Sequence, residues 1–129
     1  MTKQDHINYW ITSAAGDRNS IEALFNTQNY QQALFWGHLM IEKLIKAHWI
    51  KDNADNHPPR IHNLVFLHDQ TTLNLDKEQT DFLGRLNNFQ LEGRYPDLKF
   101  RMLKLCTMEL SAEIIEQIKI IEQCLLNKL

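Results

Sequence analysis

The sequence predicts an all-α fold, an antiparallel up-and-down helical bundle of four long helices plus one short helix. Apolar residues recur at three- and four-residue steps through most of the chain, and no segment keeps the two-residue alternation of a strand. Helix-breaking residues are rare, with four glycines and three prolines in 129 residues. This length is typical of one domain, which we expect to span residues 1–129.

Two long helices are predicted in the first half of the chain. The first runs from about Asp5 to Gln28 and stops at Asn29. The second runs from about Tyr30 to Lys51 and is apolar on nearly all sides, as is typical of a central helix or a subunit interface. Gly37 inside a helix costs about 1 kcal/mol relative to alanine. We therefore expect it to allow the close approach of a neighbouring helix or a ligand.

A polar loop over residues 51–60, ending in two prolines, separates these helices from the rest. A short helix is predicted from Ile61 to Asp69, followed by a connector from Thr71 to Leu75. Asp76 and Gln79 have the spacing of a capping box. The helix that they open is expected to run to about Phe89.

The last segment, from about Leu98 to Lys128, is predicted to be one long helix. Its apolar stripe consists of Met102, Leu105, Leu110, Ile114, Ile118, Ile121 and Leu125. Cys106 and Cys124 lie 18 residues apart in this predicted helix. At about 1.5 Å per residue they would be about 27 Å apart, well beyond the reach of a disulfide, about 7 Å. Reduced thiols are expected.

Charge and hydropathy exclude several classes of protein. The formal net charge is −2, so the chain as a whole is not attracted to nucleic acid or to an anionic membrane. The first ten residues lack the pattern of a signal peptide, and no apolar run reaches the length of a membrane span. We expect a soluble, cytoplasmic protein whose phosphate chemistry, if any, comes from a local cluster.

The segment 92–97, Glu-Gly-Arg-Tyr-Pro-Asp, is the most distinctive in the chain. Proline disfavours the α region for the residue before it, so Tyr95 is expected to be held in an extended conformation. Arg94 is a candidate for an anion site or for an ion pair with a carboxylate such as Glu42. Tyr95 could stack on a base or pack the loop. Asp97 is expected to N-cap the last helix.

A polar row crosses the apolar second helix. His38, Glu42 and Lys46 follow one another at four-residue steps and so share a face. One interpretation places this row in a cleft near Arg94, where Lys46 meets a phosphate and the other two contact a sugar or base. The alternative is a solvated stripe in which the Glu42–Lys46 pair contributes about 0.3–0.5 kcal/mol. The sequence leaves both open.

Histidines are numerous but do not form a metal-binding pattern. His57, His62 and His68 are close in sequence, yet there is no His-x3-His or Cys-x2-Cys pair. We therefore expect no metal and no cofactor. His62 begins the short helix after the proline loop, and the favoured role for it is structural, capping the helix or satisfying buried backbone groups.

Three ordered segments give the chain a resemblance to the HEPN family. They are His38–Ala47, with a Glu-Lys pair preceding a Lys-Ala; Ile61–Leu64, like the family's His-x-Leu turn; and Arg94–Asp97. The resemblance implies a HEPN-like antiparallel bundle that often pairs as a homodimer. Family RNases use an Arg-x(4–6)-His motif, and no arginine here has a histidine at that distance.

The resemblance therefore implies that the chain belongs to the non-nuclease branch of the HEPN family. Its members bind nucleotides or accompany a small nucleotidyltransferase partner, and Lys46, Arg94 and Tyr95 would contact the ligand with support from His38 and Glu42. One alternative is a metal-independent RNase of toxin–antitoxin type, with Arg94 acting beside His62 or His38. Another is a structural module that buries its second helix and its tryptophans against a partner protein.

Overall fold

The computed structural model describes residues 1–90 and 95–129. Within these ranges every regular element is helical, which confirms the all-α class. The elements are α1 (Lys3–Asn26), α2 (Tyr30–Asp52), α3 (Leu64–Asp69), α4 (Lys77–Leu86), a 3₁₀ turn (Asn87–Phe89), α5 (Pro96–Leu105) and α6 (Met108–Asn127).

The first two helices form an antiparallel hairpin. Only three residues connect them, and Gln28 turns the chain with a φ of 65°, in the left-handed region. At the other end of the pair, Lys3 Nζ donates to the carbonyl oxygens of Ile50 and Asn53 at 2.8 and 2.7 Å. Lys3 thereby supplies donors to carbonyls that the end of α2 cannot satisfy internally.

Helix α6 packs beside α2 and runs in the same direction. His48 Nε2 lies 2.8 Å from the carbonyl oxygen of Leu125, near the ends of both helices. Further back, a Cβ atom on Gly37 would lie 2.5 Å from Ile118 Cδ1. The expected close approach of a neighbouring helix at Gly37 is therefore confirmed, and that helix is α6.

Helix α4 runs in the opposite direction. It starts near the end of α6, where Gln79 Nε2 lies 3.9 Å from Cys124 Sγ. The 3₁₀ turn that follows α4 ends beside the middle of α2, where Asn87 Oδ1 lies 3.3 Å from His38 Nε2. The directions of α1, α2, α4 and α6 are thus up, down, up and down, as predicted.

Side-chain caps fix several of the helix starts. The predicted capping box at Asp76 and Gln79 is present. A second capping box, formed by Thr2 and Asp5, starts α1 two residues earlier than expected. Thr107 caps α6 by accepting a hydrogen bond from the backbone N–H of Leu110.

Helix α2 lies at the centre of the bundle. Of the two roles expected for this apolar helix, a central helix or a subunit interface, the structure shows the first. It contacts α1, α3, α5 and α6, and most of its apolar side chains are buried within the chain itself. Those with the least exposure are Ala33, Leu34, Ile41, Leu44, Ile45, Ala47 and Ile50. Trp36 and Trp49 are only partly buried and pack at the edge of the core.

The prediction of one long C-terminal helix is wrong. The chain breaks between Leu105 and Met108, and α6 begins again behind its own cap, Thr107. Leu105, the last residue of α5, is 59% exposed, although the predicted apolar stripe included it. Both cysteines are free thiols; Cys106 is buried, and burial raises the pKa of this thiol. Because Cys106 lies in the break and Cys124 in α6, the distance of about 27 Å expected for two cysteines in one continuous helix does not apply to them.

No helix in residues 1–90 and 95–129 combines the length and hydropathy needed to cross a membrane.

Candidate functional site

A buried carboxylate, Glu42, organises the polar cluster of the bundle. Its Oε2 atom accepts a hydrogen bond from Lys46 Nζ at 3.0 Å, and its Oε1 atom lies 2.9 Å from His62 Nδ1. His38 Nδ1 is 4.0 Å from the same Oε1. We call His38, Glu42, Lys46 and His62 the Glu42 cluster. Two of these groups approach one carboxylate oxygen and one approaches the other, so the carboxylate is paired on both sides.

Three members of the Glu42 cluster are inside the protein. His38, Glu42 and Lys46 are 1%, 2% and 5% exposed, so the alternative of a solvated stripe on α2 is wrong. Lys46 Nζ also lies 5.5 Å from the centre of the Trp10 ring, at cation–π distance. Trp10 belongs to α1, which therefore covers this end of the cluster.

His62 connects the cluster with the surface. It lies in the segment between α2 and α3, and its side chain is 49% exposed although the carboxylate that it contacts is buried. The cap of α3 is the next residue, Asn63, whose side chain accepts from the N–H groups of Val65 and Phe66. Asn63 therefore caps α3, and the side chain of His62 contacts Glu42.

Asn87 fixes the position of His38. Its Oδ1 atom accepts from the N–H of Leu64 at 3.0 Å and lies 3.3 Å from His38 Nε2, so His38 donates through Nε2. Its Nδ2 atom donates to Asn63 Oδ1 at 3.2 Å. Burial lowers the pKa of His38, which outweighs the opposing effect of the Glu42 charge. His38 is therefore a buried member of the cluster that Asn87 holds in position.

The sequence pointed to only part of this arrangement. The four-residue spacing predicts that His38, Glu42 and Lys46 share a face, and they do. The contacts of His62 and Asn87 join residues 20 and 49 positions apart in sequence, so no local pattern indicates them. The histidine of the His-x-Leu turn was the one available signal for His62.

The segment that carries Tyr95 begins α5. Tyr95 has the extended backbone predicted for a residue before proline, with ψ of 151°, and it is 80% exposed. Asp97 does not cap this helix: it lies within the first turn, and the cap position is Tyr95, which makes no side-chain cap bond. As an acidic residue there, Asp97 still interacts favourably with the helix dipole. Arg94 lies outside the described residues.

Helix α5 approaches α2 at its first turn. Gln31 Nε2 donates to the carbonyl oxygen of Lys99 at 2.8 Å. Lys46 lies fifteen residues further along α2, about 22 Å away at about 1.5 Å per residue. His38 is only seven residues from Gln31. The contact between α5 and α2 at Gln31 therefore lies nearer along α2 to His38 than to Lys46.

Ion pairs also join α1 with α2 and α6. Lys43 Nζ lies 2.9 Å from Asp17 Oδ2, and Arg18 pairs with Glu122. Asp17 and Glu122 are buried, and burial raises the pKa of Asp17 in spite of Lys43. A cavity of about 350 Å³ borders the Arg18–Glu122 pair, but no predicted site residue in the described part of the chain lines it.

Across residues 1–90 and 95–129, no three His, Cys, Asp or Glu side chains are grouped so that they could hold a metal ion. In the Glu42 cluster, the carboxylate is instead shared between an ammonium and an imidazole.

Comparison with known proteins gave one result. The model of the HEPN domain family matches residues 7–128, which includes every helix described above except the first residues of α1. Searches of curated proteins and of solved structures found no match. The matched range covers nearly the whole chain and agrees with the all-α up-and-down bundle. The chain belongs to the HEPN family.

Proposed function

We propose that this HEPN domain binds a nucleotide or another phosphate-bearing ligand at the solvent-facing side of the Glu42 cluster. The observation that carries this proposal is the contact between buried Glu42 and half-exposed His62, at 2.9 Å. A buried ion pair is weak support for stability, because removal of both charges from water costs about as much as their attraction returns. A paired carboxylate in the centre of an apolar helix therefore favours a role in binding.

The cluster presents His62 to solvent. Lys46 is paired with buried Glu42, whereas the side chain of His62 is 49% exposed. A phosphate oxygen can accept a hydrogen bond from an imidazole N–H at the surface. Lys46 is 5% exposed and engaged by Glu42, which favours a supporting role for it over direct contact with the ligand. His38, held by Asn87, would support the cluster from inside.

The remaining contacts are proposed from the sequence. Arg94 would bind a second phosphate oxygen through its guanidinium group. Tyr95 would stack on a base, and its 80% exposure leaves the ring accessible for this. The absence of the Arg-x(4–6)-His motif supports the non-nuclease branch of the family. On the same family grounds, we propose a homodimer that acts beside a small nucleotidyltransferase-like protein.

Thermal-shift titration tests the binding proposal. The purified chain is heated with a panel of nucleoside mono-, di- and triphosphates, and at least one should raise the Tm in a saturable manner. His62→Ala and Arg94→Ala should each remove the shift. Matched changes at exposed positions, His57→Ala and Arg85→Ala, should preserve it. A flat response to every nucleotide at millimolar concentration would contradict small-ligand binding.

A second candidate is metal-independent RNA cleavage. The observation that favours it is again His62, because an imidazole oriented by a carboxylate is a common arrangement in general acid–base catalysis. Of the two histidines considered beside Arg94, His38 is buried and has a lowered pKa, so His62 is the better candidate. Cleavage of RNA in the presence of EDTA, lost in His62→Ala, would support this function. Intact RNA after prolonged incubation would exclude it.

A further inference from the structure

The cavity beside the Arg18–Glu122 pair lies between α1, α2 and α6 and has a volume of about 350 Å³. Small-molecule sites in proteins have volumes of about 300–1,000 Å³, so this cavity is at the lower end of their range. The apolar side chains that line it are Ile21, Phe25, Met40, Ile115 and Ile118. The size and these walls suit a small organic molecule with an apolar body.

This cavity is separate from the Glu42 cluster. Met40, which lines the cavity, is two residues before Glu42 on α2. At about 100° of rotation per residue, the two side chains leave the helix on nearly opposite sides. Among residues 1–90 and 95–129, no member of the Glu42 cluster lines the cavity. A ligand in the cavity would therefore bind independently of a ligand at the Glu42 cluster.

Glu122 is the buried charged residue of the cavity wall, with an exposure of 2%. The guanidinium of Arg18 contacts it through Nε and Nη2, and both contacts end on the same oxygen, Oε2. In the part of the chain that the structure describes, the other oxygen, Oε1, has no hydrogen-bond or ion-pair partner. A carboxylate oxygen in largely apolar surroundings is stabilised by a donor. The cavity is the place where a ligand could supply one.

The charges of the cavity favour a cationic ligand. Among the described residues, the charged ones that line it are two cations and three carboxylates: Arg18, Lys119, Glu22, Glu116 and Glu122. The Arg18 side chain is 43% exposed, whereas that of Glu122 is 3% exposed. Water therefore screens the guanidinium more than it screens the carboxylate. A ligand inside the cavity would interact most strongly with the negative charge of Glu122.

We propose that this cavity binds a small organic cation, a primary amine on an aliphatic or aromatic body. The ammonium group would donate a hydrogen bond to Oε1 of Glu122, while Arg18 keeps its contacts with Oε2. The body of the ligand would pack against the apolar side chains of the wall. Buried ion pairs are weak evidence for stability, and this proposal gives the Arg18–Glu122 pair a second role, to hold a carboxylate ready for the ligand.

Probes of equal length and different charge test the proposal. Methyl NMR signals of Met40, Ile115 and Ile118 report on the cavity wall during each titration. Hexylamine should shift these signals in a saturable manner. It should bind about ten times more tightly than 1-hexanol, because a charged donor makes the stronger hydrogen bond. Hexanoate, which has the opposite charge, should bind more weakly than hexylamine.

Glu122→Gln should lower the affinity for hexylamine about tenfold, to that of 1-hexanol, because glutamine keeps the shape of the side chain but not its charge. Glu113→Gln makes the same change at an exposed position of α6 outside the cavity and should bind like the wild type.

A second variant is needed because Glu122→Gln also breaks the pair with Arg18. Ala112→Phe enlarges an exposed side chain that lines the cavity and leaves the pair intact, so it should weaken the binding of both hexylamine and 1-hexanol. Ala23→Phe, at an exposed position of α1 outside the cavity, is its control and should bind both probes normally. Circular dichroism of each variant should show the wild-type helix content.

Four results would overturn the proposal. Tighter binding of hexanoate than of hexylamine would show that a cation such as Arg18 recognises the ligand. An unchanged affinity for hexylamine in folded Glu122→Gln, or in Ala112→Phe, would place the amine elsewhere. Methyl signals of the cavity wall that stay fixed at millimolar hexylamine would exclude binding there. None of these results depends on whether a nucleotide binds at the Glu42 cluster.

Discussion

The Oε1 atom of Glu42 lies 2.9 Å from Nδ1 of His62, across a gap of 20 residues in sequence. Glu42 is in the buried centre of α2, whereas His62 is in a segment outside the helices with half of its side chain in solvent. This contact joins the interior of the bundle with its surface. It is the basis of the proposed site, and its loss is expected to lower the free energy of unfolding.

Glu42→Gln should destabilise the protein strongly. The substitution leaves the Lys46 ammonium buried without its carboxylate, and loss of one partner of a buried pair typically costs about 3–5 kcal/mol. The free energy of unfolding in urea measures this loss. Asp81→Asn, which breaks the exposed Lys77–Asp81 pair, serves as the control and should leave the urea midpoint nearly unchanged. Equal midpoints for Glu42→Gln and the wild type would contradict the buried pair.

Gly37→Ala should destabilise the protein although alanine favours helices. The new Cβ would lie 2.5 Å from Cδ1, the end of the Ile118 side chain, so this side chain, which is 1% exposed in the packed core, must move. Overpacking of this kind costs about 1–3 kcal/mol, against a gain in helix propensity of up to about 1 kcal/mol. Thermal and urea unfolding would both report the difference.

Two further variants identify the cause of that loss. Gly16→Ala introduces a methyl group with no atom within 4 Å and should be neutral or stabilising. Ile118→Val removes the Cδ1 atom, so Gly37→Ala should cost less in that background than in the wild type. An equal cost in both backgrounds would show that the Ile118 contact is not the reason.

Stability should fall as the pH is lowered through the range where histidines titrate. Burial lowers the pKa of both His38 and His48 from the usual 6.5, so the folded protein binds fewer protons there than the unfolded chain. The free energy of unfolding is therefore full above the ordinary histidine pKa and declines as the pH falls below about 6.5. The raised pKa of Asp17 acts in the opposite direction, at lower pH.

His48→Gln should flatten this pH profile. Glutamine keeps a donor for the carbonyl oxygen of Leu125, the partner of His48 at 2.8 Å, but does not titrate. Urea unfolding at several pH values measures the slope. His57→Gln, at an exposed position, should retain the wild-type slope. A slope that is unchanged in His48→Gln would show that His48 does not contribute to it.

Local sequence patterns predicted the helices well because each depends on neighbouring residues. The capping box at Asp76 follows from the spacing of Asp76 and Gln79 and is observed, and the apolar character of α2 agrees with one of the two expected roles, that of a central helix. The break before α6 was missed because the apolar stripe continues through it at nearly helical spacing. Thr107, a good cap residue directly before an apolar run, was the available signal.

The site was harder to predict because its contacts are long-range. The spacing on α2 shows that His38, Glu42 and Lys46 share a face, but it does not show whether that face is buried or what covers it. The answer depends on the path of the segment that carries His62 and on the 3₁₀ turn that carries Asn87. The role expected for Asp97 was wrong because Pro96 already occupies the first position of α5.

The measurement that tests the central claim most directly is nitrogen NMR of the imidazole rings during a nucleotide titration. The chain has six histidines, few enough to assign by single substitutions. Saturable shifts in the ring signals of His62 and His38, with His57 unchanged, are the result expected if the Glu42 cluster binds a phosphate-bearing ligand. Ring signals of His62 that stay fixed at millimolar nucleotide, while the protein remains folded, would contradict it.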